Sequence, residues 1–441
     1  MKISFIFLIS SLIIINCDNP IFQTVYTSDP APMIHDDVLY VYTGHDADGA
    51  GYFEMPDWQL YSTTDMQNWE NHGTILSATD FAWADAGTAW ASQCVERNGK
   101  FYFYVTVTKN GRNIAVAVAD SPKGPFKDAL GKPLAGPNWD YIDPTVFIDD
   151  DNQAYLFWGN PNLYYVKLNE DMISYSGQIV KTDMTYDAFG MGAEGKTLYT
   201  EGPWFYKRRE LYYMVYAASG VPETIDYSTS NSPTGPWKYR GRIMGNQEQG
   251  GAFTNHPGVI DYKGRSYFFY HNARLPGGGG FDRSVAVEEF QYNDDGTIPT
   301  LKMTNEGPNQ IEYLDPFKKT KATVMCFESG VETERGTNGE LNVAYIENGD
   351  YIKIKGADFK GGASKFIANA SSESSGGKIE IRLDRKDGTL VGTCEVTNTG
   401  GWNNYKNFEC GISGAQNVHD IFFVFTGGSG YLLNFSWWQF E

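Results

Sequence analysis

Asp143-Pro-Thr-Val-Phe-Ile-Asp-Asp-Asp-Asn-Gln-Ala-Tyr155 reads as one polar residue, a short apolar strand, a tight polar turn and an aromatic strand. The same phrase opens four other stretches. Upstream stand Asp29-Pro-Ala-Pro-Met-Ile-His-Asp-Asp-Val-Leu-Tyr40 and Trp90-Ala-Ser-Gln-Cys-Val-Glu-Arg-Asn-Gly-Lys-Phe-Tyr102. Downstream stand Glu201-Gly-Pro-Trp-Phe-Tyr-Lys-Arg-Arg-Glu-Leu-Tyr212 and His256-Pro-Gly-Val-Ile-Asp-Tyr-Lys-Gly-Arg-Ser-Tyr267. The starts lie roughly 50–60 residues apart, a period that suits one four-stranded propeller blade better than a helical repeat. A second phrase marks an outer hairpin, as in Val118-Ala-Asp-Ser-Pro-Lys-Gly-Pro-Phe126 and Tyr227-Ser-Thr-Ser-Asn-Ser-Pro-Thr-Gly-Pro-Trp237. Five repeats predict an all-β, five-bladed β-propeller over residues 20–311. Equivalent positions of radially arranged blades converge at one end of the axis. Asp29, Asp143 and Glu201 are therefore expected to share one small site.

The chain has 441 residues, enough to bury more than one core. Its 11 Trp, 29 Tyr and 27 Phe suit β-structure and sugar-stacking surfaces better than helical bundles. A formal charge of −19 with only 35 Lys and Arg argues against a nucleic-acid partner, which needs clustered cations. Residues 1–17 open with one Lys and an apolar run ending at Cys17, which reads as a signal peptide with the cysteine of a lipoprotein signal. The expected location is either secreted or, with Cys17 lipidated, cell-surface, two alternatives that Asn16 before the cysteine leaves open, and no membrane span is expected. Cys394 and Cys410 flank one hairpin-like stretch and suggest a disulfide, whereas Cys94 reads as a small buried hydrophobe. The repeat breaks at residues 312–322, a polar stretch read as a linker. Residues 323–441 then show short strands with Gly-containing turns, the pattern of a β-sandwich.

Carboxylates converging in an aromatic-rich site suit hydrolysis of a glycosidic bond, one protonating the leaving oxygen while another activates water. Asp29 and Asp143 each precede Pro, which is expected to hold them extended. Thr27-Ser-Asp-Pro-Ala-Pro32, Tyr141-Ile-Asp-Pro-Thr-Val146 and Thr200-Glu-Gly-Pro-Trp204 resemble the triad motifs of glycoside hydrolase family 43, five-bladed propellers that invert at the anomeric carbon. The resemblance implies Asp29 as general base, Glu201 as general acid, and Asp143 as the group that orients that acid and keeps it protonated. It also implies Arg283 pointing into the site. Trp90, Trp158 and His256 are further candidates for contact with the sugar, and His271 for a calcium ion on the axis. No organic cofactor is implied.

Residues 323–441 resemble carbohydrate-binding module family 6, a jelly-roll sandwich, through Gly377-Lys-Ile-Glu-Ile-Arg-Leu-Asp384, Thr399-Gly-Gly-Trp402 and Asn434 before Trp437-Trp-Gln-Phe440. That resemblance implies a cleft in which Tyr345 and Trp402 sandwich a sugar and Asn434 hydrogen-bonds it. The opening strand Val324-Met-Cys-Phe-Glu328 and the ending Asn434-Phe-Ser-Trp437 lack acidic residues that such modules place at a structural calcium site. The pairing of the two families implies removal of α-L-arabinofuranosyl side chains from arabinoxylan or a related plant cell-wall polysaccharide. Alternatives are an exo-β-xylosidase or arabinan-active hydrolase of the same family. A catalytically inactive carbohydrate-binding propeller is the alternative of another class, and the intact triad argues against it.

Overall fold

The computed structural model describes residues 19–246 and 252–441, so the leader and Cys17 lie outside the described residues. Five antiparallel sheets follow one another along the chain, each built from strands consecutive in sequence. Their first strands are Thr27–His35, Trp90–Arg97, Thr145–Ile148, Tyr199–Arg208 and Gly258–Tyr262, which are the five opening phrases. These strands touch in succession: the first packs against the second and the fifth, the second against the third, and the third against the fourth. Four sheets hold four consecutive strands and the fifth holds three. Only one short α-helix, Tyr186–Phe189, interrupts the β-structure among the described residues. Phe126 and Trp237, which end the two outer-hairpin phrases, are both buried.

Aromatic side chains fill the space between sheets, with Trp58, Tyr42 and Phe103 at the centre of the largest core cluster. Phe103 lies 5.1 Å from Tyr42 and 5.7 Å from Trp58, the latter edge to face, an arrangement that adds to simple area burial. Cys94 is buried in the same cluster, as a small hydrophobe should be.

The C-terminal residues form two packed sheets. Phe366 and Trp438 from one sheet meet Phe423 of the other at 5.4 and 5.3 Å. Cys394 and Cys410 lie on the edge strands Thr389–Val396 and Gly401–Gly411 of the two different sheets. Their side chains touch, but both are free thiols, so the expected disulfide is not formed.

The stretch read as a linker is not a loose spacer. Thr320 and Lys321 pair with Trp438 and Trp437, Leu314 bridges to Ala357, and Phe440 N–H donates to the Pro316 carbonyl at 3.0 Å. Val324 and Met325 then extend the first propeller-region sheet by pairing with Glu70 and Trp69. Unpaired backbone groups at a sheet edge attract any available strand, and here the edge is closed by the module's own opening.

Just beyond that join, Glu328 is 8% exposed, and burial pushes its carboxyl from the ordinary value of 4.5 up to about 7. The folded state therefore favours the protonated form. Its contribution is fully present below about 4.5 and is lost as pH rises through about 7. The shift corresponds to ~3 kcal/mol. Glu328→Gln, neutral at every pH, is expected to melt above the parent at pH 8 and level with it near pH 4.5. Parallel calorimetric melts at the two pH values check this, and an unchanged difference between them would contradict it.

Candidate active site

Asp29 and Glu201 stand near the inner ends of their first strands, where the pairing register slips, and Asp143 stands two residues before the third sheet's first strand, Thr145–Ile148. The slips fall between Ser28 and Ala31 and on both sides of Glu201. Such a bulge leaves one residue outside the ladder and re-aims its side chain. Asp29 and Asp143 are not extended as their Asp-Pro sequences suggested: their φ values are +51° and +61°. The clash between a proline ring and the preceding residue disfavours the right-handed helical region but leaves this left-handed region available at some cost in strain. In the fourth sheet Gly202 takes the positive φ, +57°, one residue after Glu201. A Cβ there would stand 3.1 Å from His256 Nδ1, so glycine also lets the imidazole pack against the backbone.

The result is a cavity of about 90 Å³ lined by Asp29, Asp143, Glu201, Trp90, His256 and Arg283, among others. Asp29 Oδ1 receives Arg283 Nη1 at 3.2 Å, and Ser28 Oγ donates to Oδ2 at 3.3 Å. Arg283 is itself fixed by Asp46, which accepts from its Nε at 2.8 Å, its Nη2 at 2.7 Å and its backbone N–H at 2.9 Å. Burial works against the guanidinium's charge, but Asp29 and Asp46 outweigh it and hold its pKa above the ordinary arginine value.

Asp143 is anchored at both ends: its N–H donates to Thr106 Oγ1 at 2.9 Å, and its Oδ2 accepts the Gly202 N–H at 2.9 Å. Burial pushes its carboxyl well above the usual range, and the negative charges of Glu201 and Asp29 push the same way. Glu201 is partly exposed to the cavity, and its Oε2 accepts from Asn160 Nδ2. One wall is Trp90, whose Nε1 donates to the Phe53 carbonyl at 3.0 Å while Arg112 lies 5.7 Å over its ring. Burial lowers the pKa of His256, leaving it a neutral contact surface.

Trp158 does not belong here. It is fully buried between Tyr141 and Tyr164, with ring centroids at 5.3 and 6.5 Å, and is a packing residue. It closes the inner end of a second strand, where alternation alone does not say which side faces the cavity. Conversely, Asp46, Asn160 and Arg112 were missed, because none occupies the repeated opening position. Asp46 and Asn160 lie just past strand ends and Arg112 begins the strand Arg112–Ala119, and only the folded chain brings them to the cavity.

Residues 17–298 match the profile of glycosyl hydrolases family 43, and residues 321–441 match that of the family 6 carbohydrate binding module. The chain belongs to family 43. It is 34% identical to the arabinoxylan arabinofuranohydrolase of Bacillus subtilis, over 96% of this chain and 92% of that protein. A solved arabinoxylan arabinofuranohydrolase from Bacillus subtilis, in complex with cellotetraose, superposes with a TM-score of 0.83 at 31% identity, covering 97% of this chain and 98% of the other. A xylosidase/arabinosidase of Bacteroides ovatus is 29% identical over 64% of this chain and 96% of its own length.

For the family 43 site, the calcium expected at His271 meets a chemical objection. Its Nδ1 accepts the Asp29 N–H at 3.2 Å, and its Nε2 faces the Thr254 carbonyl at 3.0 Å. Both ring nitrogens are thus engaged by backbone, and calcium prefers six to eight oxygen ligands. Among the described residues no group of three or more His, Cys, Asp or Glu is arranged for a metal. These residues do not fit a calcium held through His271. Burial also pushes the His271 pKa well below the ordinary histidine value, so the ring is a neutral brace beneath Asp29.

In the family 6 module, Tyr345 is 40% exposed, and its ring meets that of Tyr431 edge to face at 5.4 Å. Trp402 is half-buried. Asn434 is buried, with Nδ2 3.4 Å from the Trp402 carbonyl. The strand ending at Ala344 pairs through Val343 with Phe435, which brings Tyr345 to the same end of the sheet as Asn434. Tyr431, exposed beside Tyr345, is an aromatic neighbour that sequence reasoning passed over.

Proposed function

We propose that this family 43 hydrolase is exported, is built as a five-bladed propeller with a jelly-roll module, and removes α-L-arabinofuranosyl side chains from arabinoxylan with inversion. The observation that carries the reading is the convergence of Asp29, Asp143 and Glu201 on one cavity beside Trp90 and Arg283. Similarity to arabinofuranohydrolases along nearly the whole chain, module included, supports the substrate. In this reading Asp29 takes a proton from water as the water oxygen bonds to the anomeric carbon. Glu201 gives its proton to the glycosidic oxygen as the carbon–oxygen bond breaks. Asp143 holds the Gly202 N–H and thereby the backbone that carries the acid. Export is read from the apolar leader, and Tyr345, Trp402 and Asn434 are the proposed contacts to polysaccharide.

The test is the set of sugars released from arabinoxylan, debranched arabinan and xylo-oligosaccharides. Arabinose from arabinoxylan is expected. A second reading, a β-xylosidase, draws on the similarity to the Bacteroides ovatus xylosidase/arabinosidase. Xylose from xylo-oligosaccharides, with no arabinose from arabinoxylan, would select it.

A further inference from the structure

The second sheet hands over to the third through a loop that carries the most exposed aromatic side chain among the described residues. Trp139 is 67% exposed, whereas the other ten tryptophans are buried or half-buried. A single exposed ring is ordinary on a protein surface, but this one is carried by a tightly held backbone. The Asn138 N–H donates to the Arg112 carbonyl at 3.0 Å, and Arg112 Nη1 donates to the Trp139 carbonyl at 2.9 Å. The Asp140 N–H donates to Asn138 Oδ1 at 2.9 Å, and the Tyr141 N–H to the Asn138 carbonyl at 3.1 Å. Asp140 Oδ2 accepts from Tyr164 Oη at 2.8 Å and from Asn162 Nδ2 at 2.9 Å. At the loop's start Gly136 takes a φ of +120°, and a Cβ there would stand 2.9 Å from the Arg112 carbonyl. Glycine is what lets the loop lie this close to the strand that begins at Arg112.

The loop adjoins the cavity on the side of Glu201. Arg112, which holds the Trp139 carbonyl, lines the cavity, as do Ile142 and Asp143 just beyond the loop. The Asp140 carbonyl accepts the Asn160 N–H at 3.0 Å, and Asn160 Nδ2 donates to Glu201 Oε2. One residue, Asn160, thus bonds both to the acid and to the backbone next to Trp139. An inverting displacement puts water on one face of the sugar and the leaving group on the other, and the acid stands with the leaving group. The cavity, at about 90 Å³, has no room for a second sugar ring. The leaving sugar therefore lies outside it, at the rim that Glu201 and this loop share.

We propose that Trp139 is a specificity-determining residue whose exposed indole is the platform on which the leaving sugar of the polysaccharide stacks. The proposal rests on the reading of Glu201 as general acid and of arabinoxylan as substrate. The C–H face of a pyranose packs well against a flat aromatic face, and a platform on a fixed backbone gives up less freedom on binding than a mobile loop would. Such stacking requires a ring in the leaving group. It therefore favours branches carried on a chain of sugars over branches carried on small alcohols. It is made equally in the bound substrate and in the transition state, so it acts on KM rather than on kcat.

The experiment compares initial rates of the full chain, Trp139→Ala and Trp139→Phe on an arabinoxylan oligosaccharide and on methyl α-L-arabinofuranoside, whose leaving group has no ring. An aryl arabinofuranoside is unsuitable for this comparison, because its own ring could stack on the indole. Trp139→Ala is expected to lower kcat/KM on the oligosaccharide roughly tenfold, the size of one lost stacked ring, through KM and with kcat near the parent's. The rate on the methyl glycoside should stay close to the parent's. Trp139→Phe keeps a flat ring and should recover most of the loss. Equal losses on both substrates would mean that the side chain only supports Arg112 and Asp143, and would overturn the platform. An alanine variant as fast as an active parent on the oligosaccharide would reject the platform alone. A parent that releases no arabinose from the oligosaccharide would remove the substrate reading, and the platform with it.

Discussion

Asp29→Asn is expected to lower kcat on arabinoxylan by roughly 10²–10⁴-fold while the protein folds normally. The amide fills the same space: its oxygen can still accept from Arg283 Nη1, 3.2 Å from Oδ1, and its NH2, in the place of Oδ2, can donate to Ser28 Oγ, 3.3 Å away. Arg283 keeps its two-point pairing with Asp46, so the substitution leaves no bare buried cation. What disappears is the ability to take a proton from the attacking water. The loss should fall on kcat, since the charge matters most as the proton moves. Initial rates beside a thermal melt check this. A loss under about tenfold, with an unchanged melt, would remove Asp29 from the base role.

Glu201→Gln should produce a loss of similar size, roughly 10²–10⁴-fold on the natural polysaccharide, but with a different signature. An amide cannot give a proton to a departing sugar oxygen. A dinitrophenolate leaves without one, so the aryl arabinofuranoside should lose far less. The bond from Asn160 survives, because the Gln side-chain oxygen accepts as the carboxylate did. Comparing the two substrates in one preparation separates a lost proton from a displaced backbone.

Much of the site was legible because the chain repeats itself. Asp29, Asp143 and Glu201 are scattered over 173 positions, yet each opens the same strand of its unit, and the folded chain puts all three on one cavity. Trp90, His256 and Arg283 followed by the same logic or by resemblance. The failures share a physical cause. Sequence placed Asp29 and Asp143 in extended backbone, because a following proline favours that region, and the tertiary contacts that hold their φ at +51° and +61° instead are not visible in the chain. Trp158 was placed at the sugar because a strand's periodicity gives two faces but not which neighbour each meets. Asp46, Asn160 and Arg112 lie just beyond strand ends or at a strand's start, where tertiary contacts alone decide what a polar side chain touches. His271 was read as a metal ligand from its position, and the backbone contacts of both its ring nitrogens could not be seen there. The stretch 312–322 looked like a spacer because it is polar, but it is bound by backbone pairing, to which composition is blind.

The account rests on a single displacement in which Asp29 activates water and Glu201 protonates the leaving oxygen. The most direct test is proton NMR of the first sugar released from an α-L-arabinofuranoside, recorded before the anomers equilibrate. The β-anomer is expected to appear first, with the α-anomer growing in only by mutarotation. If the α-anomer appears first, configuration is retained through a covalent intermediate, and the role given to Asp29 is wrong.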